Sequence, residues 1–202
     1  MITITNFPRG ARGLRVVWLC EEMGLPYRLE KIGYPVPDSY RAKNPLGSVP
    51  FLEDGDVAIN ESVAQLLYIA SRYGPTPLLP AASDPRFARV LQMVVFSEAT
   101  FGAGTNTLMA AHFGAPDADK QNWSVRMQEQ ASLQALAFIE AKLAGADHLA
   151  GDFSLADIAI STSLGVYKGA LQKPLTPALD AYRDRLSQRP AYKRALAANT
   201  QT

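Results

Sequence analysis

Three short segments of this chain carry residue types whose spacing could bind or activate a small ligand. The first is Gly47-Ser48-Val49-Pro50. A proline cannot donate to a strand ladder, so either it opens an edge strand or its bond geometry is special. A cis Val49–Pro50 bond would turn the Val49 N–H and C=O outward, where an extended peptide ligand could pair with them. A trans proline at the start of an edge strand accounts for the same residues, and only about 5% of X–Pro bonds are cis. The second segment is Glu61-Ser62, just ahead of an apolar helical run. Ser62 has the type and place of an N-cap, and the amides of a helix N-terminus attract a carboxylate. Capping alone also explains a serine there. The third is Phe7-Pro8-Arg9-Gly10-Ala11-Arg12, between a first strand and a first helix. Such a junction lies at the C-terminal end of a parallel strand, where α/β sheets commonly bind ligands. Gly10 permits close backbone approach; Arg9 and Arg12 could stabilise an anion such as a thiolate, or stand as solvated charges.

Other reactive residue types are sparse. Cys20 is the single cysteine, which excludes an internal disulfide and a Cys-based metal cluster. It falls mid-helix on an apolar stripe and reads as a small buried hydrophobe. With His112 and His148 as the two histidines, a zinc site of His and Cys is all but excluded. Neither histidine has a Ser or Cys partner at a recognisable elbow, so a hydrolase triad is rejected. Gly151-Asp152-Phe153-Ser154-Leu155-Ala156-Asp157-Ile158 has capping-box spacing at Ser154 and Asp157 and hydrophobic-staple spacing at Phe153 and Ile158. That segment starts a buried helix and is assigned no catalytic role.

The elements that must position these residues follow from periodicity. Ile2 and Ile4 alternate with Thr3 and Thr5, as in a half-buried strand. A helical period then runs through Val16, Leu19, Cys20 and Met23 to a stop at Gly24 and Pro26. Tyr27 to Ile32 alternates again, giving a βαβ unit with a parallel strand pair. After a loop with room for one helical turn, Asp54-Gly55 between two short apolar runs predicts a hairpin, and Ser62 to Tyr73 predicts a helix. The N-terminal part thus reads β-α-β-loop-β-β-α. Residues 77–85 are proline-rich and read as a linker; beyond it the period is helical, with helices expected at about 86–112, 119–144, 154–169, 176–188 and 190–198. The domain division is 1–76, an α/β domain, and 86–202, an all-helical one.

Twenty Lys and Arg stand against 19 Asp and Glu, a formal net charge of +1, with no basic stripe. That balance gives no electrostatic footprint for nucleic acid or an anionic membrane. The N-terminus lacks the charged start and apolar core of a signal peptide, and no apolar stretch is long enough to span a membrane; a cytoplasmic setting is expected.

Taken together, the motifs resemble the glutathione S-transferase family. The resemblance rests on Arg15-Val16-Val17-Trp18-Leu19-Cys20-Glu21-Glu22-Met23-Gly24-Leu25-Pro26-Tyr27, Asn44-Pro45-Leu46-Gly47-Ser48-Val49-Pro50-Phe51-Leu52 and Asn60-Glu61-Ser62. The Gly-Asp-x-Ser-x-Ala-Asp run from Gly151 and the terminal Arg189-Pro190-Ala191-Tyr192 complete it. It implies a thioredoxin-like N-terminal domain with a cis proline at Pro50, an all-helical C-terminal bundle, and a homodimer. It implies glutathione as cosubstrate; no metal, nucleic acid or membrane partner is expected from the composition and charge above. Val49 would pair with the cysteinyl backbone of glutathione, while Glu61 and Ser62 would hold its γ-glutamyl end. Ser48 replaces the family's usual lysine. Gly10, followed by Ala11, falls where many classes carry the serine or cysteine that meets the thiol, and Asn6 falls where the tyrosine classes place their hydroxyl. The candidate thiol activators are therefore the amides near Gly10 to Arg12, assisted by Arg12 or Arg9, and then the Asn6 amide. The expected reaction is attack of the glutathione thiolate on a small hydrophobic electrophile held between the domains by Phe101, Met109, His112, Phe113 and Tyr167. Glutathione-dependent disulfide reduction, ether lysis and a non-catalytic binding module are the alternatives.

Overall fold

The computed structural model describes residues 1–8 and 12–200. They group into two compact units, one of residues 1–79 with 184–202 and one of residues 80–183.

In the first unit, β1 (Ile2–Asn6), α1 (Gly13–Met23) and β2 (Tyr27–Lys31) form the βαβ element. β1 and β2 pair in parallel from Ile2–Tyr27 to Asn6–Lys31, a pairing that a helical crossover makes possible and a hairpin does not. A short helix α2 (Asp38–Lys43) follows in the loop, then β3 (Phe51–Asp54), β4 (Val57–Ile59) and α3 (Ser62–Arg72). The sheet order is β2-β1-β3-β4, with β3 antiparallel to both neighbours. This is the thioredoxin-like arrangement. Its core holds Ile2 and Ile4 from one face of β1, Val16, Trp18 and Leu19 from α1, Leu52 from β3, and Leu66 and Ile69 from α3. Gly24 ends α1 in the left-handed region at φ 63°, with its N–H donating to the Cys20 carbonyl; glycine adopts that cap without a Cβ penalty. At the β3–β4 hairpin, Asp54 accepts from the Tyr68 hydroxyl at 3.1 Å and the Tyr73 hydroxyl at 2.5 Å.

The helix α9 (Pro190–Thr200) belongs to this unit. Arg189 chelates Glu22 of α1 through Nε at 2.6 Å and Nη2 at 2.9 Å, and Trp18 Nε1 donates to the same carboxylate at 2.9 Å. Arg194 Nε reaches Glu21 at 2.6 Å. Trp18 and Tyr192 pack edge to face with centroids 4.8 Å apart.

The second unit is helical: α4 (Pro85–Ala99), α5 (Phe101–Gly114), α6 (Trp123–Leu143), α7 (Leu155–Gly169) and the first turns of α8 (Pro177–Ser187). The single helix expected over 86–112 is two. Thr100, at φ −111° and ψ −63°, departs from ideal helix angles and divides it. α6 begins at Trp123 rather than 119, because Asn122 accepts from the Val125 N–H at 3.0 Å and caps it there. α7 is the core helix of this unit, with Leu155, Ile158, Ile160 and Leu164 buried. Asp157, its third residue, takes four donors: the Ser154 N–H at 2.9 Å, the Ser154 hydroxyl at 3.2 Å, the Leu149 N–H at 3.1 Å and the Tyr182 hydroxyl at 2.8 Å. Among the described residues no helix is long and apolar enough to cross a membrane.

Candidate ligand groove of the N-terminal unit

Two of the three chemistry-bearing segments meet within the first unit. The Val49–Pro50 bond is cis. The β3 ladder starts only at Phe51, opposite Thr5, so Val49 lies outside the strand pairing. The turn that presents Val49 is held from beneath: the Ser48 carbonyl accepts from the Tyr40 hydroxyl at 2.6 Å and from Asn44 Nδ2 at 2.8 Å. Tyr40, Val36 and Phe51 form a buried cluster on which Phe7, Ile32 and Val49 pack. Gln65 of α3 completes the support. Its Nε2 donates to the Pro50 carbonyl at 3.0 Å and to the Ile59 carbonyl at 2.9 Å, tying the proline turn to the strand that leads into Glu61-Ser62.

The start of α3 differs from the simple cap expected of Ser62. Glu61 holds the cap position, at φ 64° and ψ 101°, and Ser62 is the first helical residue. A left-handed backbone at a residue with a long side chain is strained, and such strain gathers at ligand sites. Ser62 is nearly buried, and its Oγ accepts from Arg15 Nη1 at 3.2 Å. Arg15 is 0% exposed and lies in the first turn of α1. The N-termini of α1 and α3 therefore converge on one hydrogen bond. Each brings amides that lack helical partners and the positive end of a peptide dipole. A buried guanidinium adds a full charge to the same spot. An anion is the ligand such an arrangement suits.

Comparison with known proteins places the chain in a family. Residues 12–72 match the family model described as Glutathione S-transferase, N-terminal domain, and residues 103–190 the one described as Glutathione S-transferase, C-terminal domain. Glutathione S-transferase F9 of Arabidopsis thaliana is 30% identical over 86% of this chain and 84% of its own. The chain belongs to the glutathione S-transferase family. Glutathione S-transferase 3 of Zea mays is 29% identical over 98% of this chain and 94% of its own. Among solved structures, the theta class glutathione S-transferase from Xanthomonas axonopodis pv. citri, with glutathione bound, is 28% identical, with a TM-score of 0.79 over 99% of both chains.

The transferase site residues expected from sequence are distributed as follows. Ser48 is exposed, with its Oγ donating to Asn60 Oδ1 at 3.2 Å. Val49 is half-buried and Pro50 buried, and Glu61 stands exposed beside Ser62. Arg12 occupies the cap position of α1 at φ −66° and ψ −12° and is half-buried. Arg9, Gly10 and Ala11 lie outside the described residues. Asn6 is 0% exposed, and its Nδ2 donates to Asn199 Oδ1 at 2.7 Å.

In the helical unit, Phe101 and Tyr167 are buried and pack on each other with centroids 5.6 Å apart. Burial and the nearby Glu129 carboxylate push the Tyr167 hydroxyl above its ordinary value. Met109 is half-buried, and His112 and Phe113 sit edge to face at 4.6 Å at the exposed end of α5, with Phe113 67% exposed. The five are thus not one cluster: two are core, Met109 is half-buried, and the other two form an exposed pair, of which His112 also lines a cleft with Leu108, Lys120, Glu129 and Lys173.

Sequence reading missed Arg15, Gln65 and Asn44 as parts of the candidate groove. A charged residue on the buried stripe of α1 was the available signal for Arg15. Gln65 follows Ser62 at capping-box spacing, but its amide faces strand carbonyls instead of closing the box. Cys20 is buried and its thiol is pushed up to about 12, first by burial and then by Glu21. Among the described residues no group of three or more His, Cys, Asp or Glu could hold a metal.

Proposed function

We propose that this protein is a glutathione transferase that binds glutathione in the groove of its N-terminal unit and joins its sulfur to a small hydrophobic electrophile. The observation that carries this reading is the Arg15–Ser62 hydrogen bond at 3.2 Å, which brings the starts of α1 and α3 together. Val49 pairs its main chain with the cysteinyl segment of the tripeptide, as an added antiparallel strand. Ser62 and the α3 amides take the γ-glutamyl carboxylate, and the Glu61 carboxylate takes its ammonium group. That places the thiol toward the start of α1. There the helix amides, with Arg12 or Arg9, favour the thiolate over the thiol; each unit by which the thiol pKa falls takes about 1.36 kcal/mol of differential stabilisation.

In the reaction the thiol proton passes to solvent, the thiolate sulfur forms a bond to the electrophilic carbon, and the leaving group departs with its electron pair. Phe101, Met109, His112, Phe113 and Tyr167 of the helical unit are the residues we propose for that second substrate. The inert Cys20 thiol means that disulfide chemistry, the second reading, would run through the sulfur of glutathione and not through a protein cysteine. A cytoplasmic setting suits a protein with one buried, reduced cysteine. A homodimer is supported by an open apolar face on α4 around Ala88, Leu91, Val95 and Phe96; sedimentation of the purified protein at twice the chain mass is the expected result.

Calorimetric titration with glutathione, combined with the ultraviolet absorbance of the bound thiolate across pH, tests the main reading. Binding with a thiol pKa below the free value of about 8.5 is expected. Binding with an unshifted pKa would favour disulfide chemistry, and no binding at millimolar glutathione would leave the fold serving another purpose.

A further inference from the structure

Four cations of the helical unit have carboxylate partners. Lys120 meets Asp117 at 2.8 Å, Lys168 meets Asp180 at 2.6 Å, and Lys173 meets Glu129. Arg86, in the first turn of α4, is held by Asp84 and Asp152, each at 2.7 Å. Arg89, nearly one turn further along α4, and Lys142, in the last turn of α6, have no such partner among the described residues. Both line one cavity of about 290 Å³, whose other walls are Gln92 of α4, Met93 of α4 and Leu149 of the loop after α6. Met93 and Leu149 are buried, whereas Arg89, Gln92 and Lys142 are exposed. The cavity therefore has an apolar floor, a rim of two cations and one amide, and no acidic lining residue.

Packing holds Lys142 at this place. Its Nζ lies 5.2 Å from the centroid of the Phe138 ring, which stacks on Phe96 of α4 at 5.0 Å. Part of its charge answers the carbonyl end of α6. Two like charges facing one cavity raise its potential, and an anion placed between them lowers it. A hydrophobic body gains in turn by covering Met93 and Leu149. We propose that this cavity is a binding site for a small organic carboxylate with a compact apolar body. The carboxylate bridges Lys142 and Arg89, whose guanidinium can offer two parallel N–H donors. Gln92 adds its amide, and the body rests on Met93 and Leu149. A cavity of this size is at the lower end of the range for small-molecule sites, which limits the body to about one or two fused rings. The site uses no residue of the glutathione groove and stands apart from the transferase reading.

The test is calorimetric titration of the full chain at low salt with three probes. These are 2-naphthoate, its neutral counterpart 2-naphthamide, and acetate, which has the charge without the body. Naphthoate is expected to bind with a Kd below about 1 mM, and naphthamide and acetate at least about tenfold more weakly. Arg89→Ala and Lys142→Ala each weaken naphthoate about fivefold, and the double variant about twentyfold. Arg89→Lys, which keeps the charge but not the paired donors, falls between wild type and Arg89→Ala. Raising the salt weakens naphthoate and leaves naphthamide unchanged, since exposed charges are screened. Both substituted positions are exposed, so the variants should fold as wild type does by circular dichroism. Unchanged naphthoate affinity in the folded double variant overturns the site, whatever else on the protein binds naphthoate. No naphthoate binding at several millimolar overturns it too. Equal affinity for naphthoate and naphthamide, or for naphthoate and acetate, overturns the ligand class.

Discussion

Arg15 and Asp157 occupy the same place in two different helices. Each is the third residue of its helix and 0% exposed. At the start of α7 the charge is negative, which the positive end of the peptide dipole favours. Asp157 there has four donors on its two oxygens, so the buried carboxylate is fully engaged within the protein. At the start of α1 the charge is positive, against the same dipole, and one of its donors goes to the neutral Ser62 hydroxyl at the head of a second helix. Agreement between side chain and dipole makes the α7 start a device for stability. Opposition at the α1 start sets a buried positive charge at the point where two helix N-termini meet.

That contrast is broken or sharpened by substitutions at the two positions. Asp157→Ala leaves four buried donors without their acceptor and should lower stability by about 3–5 kcal/mol in chemical denaturation. The folded fraction should bind glutathione as before; equal loss of glutathione affinity would break the contrast. Arg15→Met should weaken glutathione binding about tenfold or more in calorimetry, the scale of a charge-assisted hydrogen bond. Ser62→Ala should cost about 1 kcal/mol of that same affinity, and the pair of single variants with their double mutant measures the coupling between the two helix starts. The smallest effect is on the pH dependence of stability. Burial raises the Asp157 carboxyl above its ordinary value, whereas hydrogen bonds led by Tyr73 lower that of Asp54. The Asp157 contribution is therefore full below the unfolded value and lost as pH rises through the raised folded one. The Asp54 contribution is present above the unfolded value and lost as pH falls through the lowered one. Unfolding of Asp157→Asn and Asp54→Asn, followed across the acid range, should change the slope of stability against pH in opposite senses.

Much of the frame is legible in local sequence because its causes are local. The alternation of Ile2 and Ile4, Gly24 as a left-handed cap, Asp54-Gly55 at a hairpin and Ser154 with Asp157 at a helix start each act within a few residues of themselves. The division of the expected 86–112 helix is not, because the apolar period continues across Thr100 while its backbone departs from ideal helix angles. In the groove, Val49-Pro50 and Glu61-Ser62 are readable as a pair of motifs. What holds them is not. The Arg15–Ser62 bond spans 47 positions, and the bond between Asn6 and Asn199 is set by how α9 returns to α1, for which neither residue carries a local mark.

The return of α9 to the first unit has a consequence for how the chain is made. Residues 1–79 emerge from the ribosome first, yet their partner segment, 184–202, emerges after the whole helical unit. Domains tend to fold as units during synthesis, and a contact between residues 6 and 199 is among the most distant this chain can form. The sheet can assemble early, but the bond from Asn6 to Asn199 closes only after α9 has been added. The end of β1 is therefore among the last parts of the first unit to be pinned.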